Sequence, residues 1–176
     1  RNHPYEGLYN LAELDLDNDG DTDLSDDACG DLPNIDLFKT FVGAEPDGNG
    51  NYEVTYTVTV TNNGGAATQY DLTDTPLFDD DITINGGSFS GQNAGVLSAG
   101  ANLLADDETI AAGATHTYTL TFNVTLHLTP GSQDGGNNIY TPCSDPTEGP
   151  DNNPYEGLYN LAELDLDNDG DADLQD

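Results

Sequence analysis

Residues 51–61 read NYEVTYTVTVT, and from position 52 onward large apolar side chains alternate strictly with Glu or Thr. A period of two sends successive side chains to opposite faces of a β-strand. Tyr, Val and Thr are also residue types that favour strands. The stretch therefore predicts a half-buried strand with one apolar face and one face rich in threonine.

Farther along the chain, residues 115–128 form the longest alternating run, THTYTLTFNVTLHL. Shorter alternating segments lie at 8–14, 35–41, 70–74 and 158–164, between turns rich in Gly, Asn, Asp and Pro. No segment has the apolar spacing of an amphipathic helix. Seven or more short strands without a helix predict an all-β chain with an immunoglobulin-like antiparallel β-sandwich. An all-β barrel is the alternative.

Residues 15–26 read DLDNDGDTDLSD, with carboxylates at loop positions 1, 3, 5, 9 and 12 and glycine at position 6. This is the oxygen-ligand spacing of a calcium loop, in which position 7 offers its backbone carbonyl. Ligation by oxygen alone favours Ca²⁺ over transition metals, and the absence of flanking helices argues against an EF-hand. A solvated acidic turn is the alternative. The predicted ligands are Asp15, Asp17, Asp19, Asp21, Asp23 and Asp26, and, in a second copy of the loop, Asp165, Asp167, Asp169, Asp171, Asp173 and Asp176.

A long internal repeat carries both loops: residues 4–21 and 154–171 are identical and read PYEGLYNLAELDLDNDGD. The copies lie 150 residues apart, which is the size of a domain. We therefore expect a tandem array. Residues 1–33 would be the C-terminal end of a preceding repeat, including its calcium loop, and residues 34–176 a nearly complete repeat ending in the second loop. The alternative is a fibre subunit whose ends overlap those of its neighbours.

The charge of the chain excludes several classes of partner. Two basic residues, Arg1 and Lys39, stand against 34 acidic ones, and the formal net charge is −32. This balance argues against nucleic acid and against anionic lipid surfaces, and no apolar run in this segment is long enough for direct membrane insertion. The three histidines, His3, His116 and His127, are isolated from any nucleophile and orienting acid at motif spacing. We therefore expect no enzyme activity.

Four segments together resemble a conserved repeat of bacterial surface proteins: VTVTNNGG (58–65), DLTDTP (71–76), IAAGATHTYTL (110–120) and LYNLA (158–162). That repeat is immunoglobulin-like, occurs in long tandem arrays and is often labelled only as a domain of unknown function. The calcium loop, followed by Cys29, resembles the thrombospondin type 3 repeat. The resemblance implies an extracellular structural module at the cell surface or in a secreted fibre.

A crosslink hypothesis arises from Lys39, which lies on the apolar parity of its segment between Leu37 and Phe41. A buried ammonium must be paired, neutralised or consumed. Asn160 and Asp74 also lie on apolar parities, and the three residue types are those of an intramolecular isopeptide bond. The alternatives are a buried Lys39–Asp74 ion pair or a lysine that reaches solvent.

Two cysteines, Cys29 and Cys143, leave the disulfide connectivity open. In an immunoglobulin-like array, Cys143 is expected to pair with the copy of Cys29 in the following repeat. Neighbouring subunits would be joined by the same two residues if separate chains assemble. Two reduced thiols are the remaining alternative.

These observations predict a calcium-stabilised structural repeat of an extracellular bacterial fibre or giant adhesin, which holds domains in a rigid extended array. Its partners would be neighbouring copies of the same repeat. The alternative function is a surface module that binds carbohydrate or ice through its threonine face, with surface glycans as partners. The chain has no tryptophan, the usual sugar platform.

Overall fold

The computed structural model describes residues 7–79, 81–127 and 157–176. Over these residues the chain consists of antiparallel strands and turns, which confirms the all-β class. No helix in this part of the chain is long and apolar enough to cross a membrane. The strands are β1 (Leu8–Leu14), β2 (Leu24–Gly30), β3 (Ile35–Pro46), β4 (Asn51–Asn62), β5 (Thr68–Pro76), β6 (Ile82–Ser90), β7 (Ala94–Leu97), β8 (Asn102–Ile110), β9 (Thr115–Leu126), β10 (Asn160–Asp165) and β11 (Leu174–Gln175).

The two long alternating runs pair with each other at the centre of a five-stranded sheet of order β3-β4-β9-β6-β7. Strands β4 and β9 pair from Asn51 opposite Thr125 to Thr61 opposite Thr115. The apolar side chains of β4 from Val54 to Val60 are buried, and the threonines of the strand are partly exposed. The period of two therefore predicted both strands and the face that each presents to the core.

A second sheet, of order β11-β10-β5-β8, supplies the other side of the core. Strand β10 is antiparallel to β5, with Asn160 opposite Pro76 and Ala162 opposite Asp74. Leu72 on β5 and Leu164 on β10 are fully buried. Side chains from both sheets form one apolar core, so strands β3–β11 make up one folded unit.

Strands β1 and β2 form a separate two-stranded sheet, here called the N-terminal hairpin (residues 7–30). Every residue of both strands is exposed. Strand β1 repeats the sequence of the segment that contains β10, yet Leu14 is 49 % exposed and Leu164 is 0 % exposed. Identical sequences thus occupy opposite environments in one molecule. Strand β2 was not predicted, because LSDDACG has no apolar alternation.

Candidate metal loops and a buried lysine cluster

The first acidic loop connects the two strands of the N-terminal hairpin and folds around the carboxylate of Asp15. This carboxylate accepts hydrogen bonds from the backbone N–H groups of Asn18, at 2.6 Å, and Gly20, at 3.0 Å. Asn18 and Gly20 have φ values of 59° and 94°, in the left-handed region that glycine adopts most easily. The glycine at loop position 6 therefore allows the sharp turn of the loop.

The second acidic loop connects β10 to β11 and repeats this geometry. Asp165 accepts hydrogen bonds from the N–H groups of Asn168, at 2.7 Å, and Gly170, at 2.9 Å. The φ values of Asn168 and Gly170 are 57° and 91°. The loop conformation is thus the same beside an exposed hairpin and beside a packed sheet, so local sequence determines it.

In each loop the first three predicted ligands come together. Carboxylate oxygens of Asp15, Asp17 and Asp19 all lie within 4.8 Å of one another, and so do those of Asp165, Asp167 and Asp169. These residues hold positions 1, 3 and 5, which are side-chain ligands in calcium loops. The two groups, named here the acidic triads, could hold a divalent cation.

The remaining predicted ligands make other contacts and lie outside the acidic triads. At loop position 9, Asp23 and Asp173 accept hydrogen bonds from the backbone N–H groups of Leu16 and Leu166, both at 2.7 Å.

At loop position 7, Asp21 and Asp171 donate their own backbone N–H groups to the position-5 carboxylates. Asp26 accepts from the N–H of Asp27 on β2, and Asp176 accepts from the backbone N–H of Lys39 at 2.7 Å.

Electrostatic repulsion is visible within the second triad. The pKa of Asp167 is raised, first by the negative charge of Asp169 and further by desolvation and the charges of Asp173 and Asp165. Desolvation raises the pKa of Asp165 as well, but the loop N–H groups outweigh it and lower that pKa overall. A bound cation would relieve the repulsion among these carboxylates.

The only lysine of the chain lies in the core of the folded unit. The Lys39 Nζ on β3 contacts Asp74 Oδ1 on β5, and the two side chains are 5 % and 0 % exposed. The ammonium also lies 5.6 Å from the ring centroid of Tyr56, within the range of a cation–π contact. Tyr56 was not singled out from the sequence, because an inward tyrosine on β4 has the pattern of an ordinary core residue.

Asn160 completes this group, which we call the Lys39 cluster. Its side chain is buried, and neither its Nδ2 nor its Oδ1 has a hydrogen-bond partner among the described residues. The same is true of Asp74 Oδ2. Burial raises the pKa of Asp74, and the neighbouring Lys39 and Asn160 side chains partly oppose this rise. The cluster thus contains three buried polar atoms that make no hydrogen bond of standard geometry with the described residues.

Burial dominates the protonation equilibria of the pair. Desolvation lowers the pKa of Lys39, although the charge of Asp74 partly opposes this shift. Desolvation likewise raises the pKa of Asp74, although the charge of Lys39 partly opposes it. Both effects favour the neutral amine and the neutral acid.

The other candidate residues are dispersed. Cys29 is exposed on β2, and Cys143 lies outside the described residues. His116 Nδ1 lies 2.9 Å from the hydroxyl of Tyr70, whereas His127 Nε2 lies 2.9 Å from Thr83 Oγ1. His3 also lies outside the described residues. The structure therefore assembles each acidic triad and, separately, the Lys39 cluster, whereas the two histidines that it describes contact different residues.

No protein-family model matches the chain, and neither the curated proteins nor the solved structures contain a significant match to it.

Proposed function

We propose that this chain is part of an extracellular structural array made of repeated immunoglobulin-like sandwiches, with calcium in the loop of each repeat. The observation that supports this proposal most strongly is that two identical segments differ in burial, one being in the core and the other exposed. Ala162 and Leu164 of the second copy are fully buried against the four-stranded sheet, whereas Ala12 and Leu14 of the first copy are exposed. The N-terminal hairpin has the sequence of a core strand without the core.

The exposed hairpin is suited to complete the sheet of a preceding copy. Leu8, Leu11 and Leu14 are all about half exposed, whereas their counterparts Leu158 and Leu161 are partly buried and Leu164 is fully buried. Fully burying one leucine side chain stabilises a protein by about 1.5–3 kcal/mol. A two-stranded hairpin alone is also marginally stable in water. Residues 7–30 therefore gain stability when a second copy takes them up as its own β10 and β11.

The strand order supports the immunoglobulin-like assignment. Strands β3, β4 and β9 are successive neighbours in one sheet, as are β5, β10 and β11 in the other. These neighbours correspond to strands A, B and E and to strands C, F and G of an immunoglobulin domain. Two additional strands follow the strand that corresponds to D in the chain: β7 pairs with β6, and β8 pairs with β5 in the other sheet. The position of the acidic loops between strands F and G follows from this correspondence.

Calcium is the cation that the acidic triads favour, because their ligands are carboxylate oxygens. The second loop begins at Asp165, opposite Asp71 near the start of β5. The chain before β5 contacts the segment that leads into β3, where the N–H of Asn63 donates to the carbonyl of Asn34. A cation in this loop would lie near the end of the unit where a preceding repeat is joined. Calcium would thereby stiffen the junction between repeats.

We expect Ca²⁺ to bind with a stoichiometry of two per chain, one for each acidic triad. Extracellular calcium modules bind in the range of about 10⁻⁴–10⁻³ M. A ligand that binds only the folded state stabilises it by about 2.7 kcal/mol at 100 times its dissociation constant. Isothermal titration and thermal melting, each with Ca²⁺ and with a chelator, would measure both effects.

Matched variants separate the two loops. Asp17→Asn and Asp167→Asn should each reduce the stoichiometry from two to one, but only Asp167→Asn should reduce the calcium-dependent stabilisation of the core, because its loop connects two core strands. Asp106→Asn removes an exposed carboxylate outside both loops and is the charge control. Melting that is the same with calcium and with chelator would contradict the proposal.

A chain with two copies tests the array. In it, a second copy of residues 34–150 is placed directly before Arg1, so that the hairpin follows that copy at the natural spacing of the repeat. We expect the amides of β1 to become protected from hydrogen exchange, because they enter a complete sheet. Exchange measured by mass spectrometry resolves the copies in peptides that include Thr22 or Ala172, where the repeats differ.

The control is the same two-copy chain with Leu14→Asp, which places a charge in the proposed core and should restore fast exchange. Exchange of β1 that is equally fast with and without the added copy would contradict the array.

One observation favours the alternative function. Four threonines of β4 lie directly opposite four threonines of β9, from Thr55 opposite Thr121 to Thr61 opposite Thr115. This regular hydroxyl surface, on the outer face of the five-stranded sheet, would support ice or carbohydrate binding. Thermal hysteresis and a glycan array test it. Activity that is lost in Thr57→Tyr but retained after chelation would favour this second function over the structural array.

A further inference from the structure

We propose that Lys39 and Asn160 become joined by an amide bond between Lys39 Nζ and Asn160 Cγ, with Asp74 transferring the proton. The three residues lie on β3, β10 and β5, so the bond would connect the two sheets through the core. This inference requires neither calcium binding nor a tandem array.

The polar groups of the Lys39 cluster are poorly satisfied for a purely structural role. A buried lysine–aspartate pair loses much of its Coulombic attraction to the cost of desolvation unless further hydrogen bonds satisfy its remaining atoms. Here Asp74 Oδ2 and both polar atoms of the Asn160 side chain have no partner among the described residues. Buried polar groups in native proteins are nearly always paired, so these exceptions require an explanation. Formation of the amide bond would explain them, because it removes the positive charge of Lys39 and the amide NH2 group of Asn160.

The cluster also provides the reactive species. The Lys39 and Asp74 side chains are buried and in direct contact, and burial disfavours the charged form of each group. A proton can pass from the Lys39 ammonium to the Asp74 carboxylate through the close contact between Nζ and Oδ1. The result is a neutral amine, which is the nucleophilic form of lysine, beside a neutral acid.

The reaction balances without any added reagent. The lone pair of Lys39 Nζ attacks Asn160 Cγ, while the protonated Asp74 donates a hydrogen bond to Asn160 Oδ1 and stabilises the developing negative charge. Asp74 then carries the proton lost by Nζ to Nδ2. The Cγ–Nδ2 bond breaks and ammonia leaves. One amine and one primary amide thereby become one secondary amide and ammonia, with no change in oxidation state.

Surrounding contacts hold the reacting groups together. The Tyr56 hydroxyl donates a hydrogen bond to the carbonyl of Leu158 at 2.5 Å, two residues before Asn160. The ring of the same tyrosine lies beside Lys39 Nζ. The backbone of Lys39 is fixed by its hydrogen bond to Asp176, just beyond β11. Such positioning converts a slow reaction between separate molecules into an efficient intramolecular step.

Intact mass spectrometry of the folded chain tests the bond. We expect a mass lower than that calculated from the sequence by one ammonia molecule. We also expect digestion at Asp and Glu to release a branched peptide that joins the segments containing residues 39 and 160. Because Lys39 is the only lysine, the branch can be assigned without ambiguity.

Three variants define the requirement for each group. Lys39→Arg retains a cation without the nucleophile, Asp74→Asn retains the shape without the proton carrier, and Asn160→Ala removes the acceptor. Each should have the mass calculated from its own sequence. Circular dichroism shows whether a variant is folded. If a variant does not fold, the branched peptide from the chain without substitutions still decides whether the bond forms.

Three results would overturn the proposal. An unshifted mass excludes the bond. Loss of ammonia that persists in Lys39→Arg identifies cyclisation of an asparagine side chain instead. Loss of a water molecule would identify an amide between Lys39 and Asp74.

Discussion

Replacing Leu164 by alanine should destabilise the fold by about 2–5 kcal/mol, the usual cost of removing a buried leucine side chain. Leu164 is fully buried on β10, opposite Leu72 of β5. The cost has two parts, because the deleted carbons lose their transfer free energy and the sheets cannot close the cavity completely. Denaturant unfolding followed by tyrosine fluorescence measures it, since the chain has nine tyrosines and no tryptophan.

The repeat supplies a matched control. Leu14→Ala makes the same substitution within the same eighteen-residue sequence, but on the exposed N-terminal hairpin. It should change the stability of the core by less than about 0.5 kcal/mol, as surface substitutions do. In the chain with an added copy of residues 34–150, we expect Leu14→Ala to become as costly as Leu164→Ala. Equal effects of the two substitutions in the single-copy chain would contradict the difference in burial.

At neutral pH, Lys39→Met should be about 3–5 kcal/mol less stable than the double variant Lys39→Met/Asp74→Asn, because removal of one partner leaves a buried charge uncompensated. That charge is Asp74, whose side chain is fully buried. The double variant Lys39→Met/Asp74→Asn has no charge at this position and should recover much of the loss. Both variants lack the nucleophile of the proposed amide bond, so their comparison isolates the effect of the charge.

The cost of the unpaired carboxylate should depend on pH. Burial raises the pKa of folded Asp74 above its ordinary value of 3.8, and loss of Lys39 removes a group that lowers it. The folded state therefore binds this proton more tightly than the unfolded state does. The penalty is absent below the unfolded pKa and develops as the pH rises from 3.8 toward the folded pKa.

Unfolding curves of Lys39→Met and of the double variant, measured at several pH values, test this dependence. The difference between the two free energies of unfolding should approach zero in acid and increase with pH. The other carboxylates titrate in both variants, so their contributions cancel. A difference independent of pH would indicate that Asp74 does not carry the charge in the variant.

The fold was predictable where one strand contains the whole signal. Strand β4 has a complete apolar face and a complete polar face, so its period of two determines both conformation and orientation. Strand β2 contains no such signal because all its residues are exposed. The exposure of β1 could not be predicted from its own sequence, because β10, which is buried on one face, has the same sequence. Only long-range packing distinguishes the two copies.

The candidate sites also differ in how far the sequence predicts them, because some contacts form within one short segment and others between distant strands. Loop positions 1, 3 and 5 come together because a short turn around Asp15 or Asp165 determines their geometry. The side chains at position 12, Asp26 and Asp176, depend instead on the strands that follow the loops, and they contact neighbouring backbone. Inward parity identified Lys39, Asp74 and Asn160, whereas Tyr56 was not singled out from the sequence. Their convergence depends on how two sheets align, which no single segment encodes.

The position of the Lys39 cluster has a mechanical consequence. Lys39 lies on the first strand of the folded unit, and Asn160 lies on the next-to-last strand. When an array is pulled from its ends, tension enters this unit through β3 and leaves through β11. With an amide bond between the two residues, the tension passes directly from Lys39 to Asn160. Residues 40–159 would then bear no load and could not be unravelled by pulling, so each repeat would extend little before a covalent bond breaks.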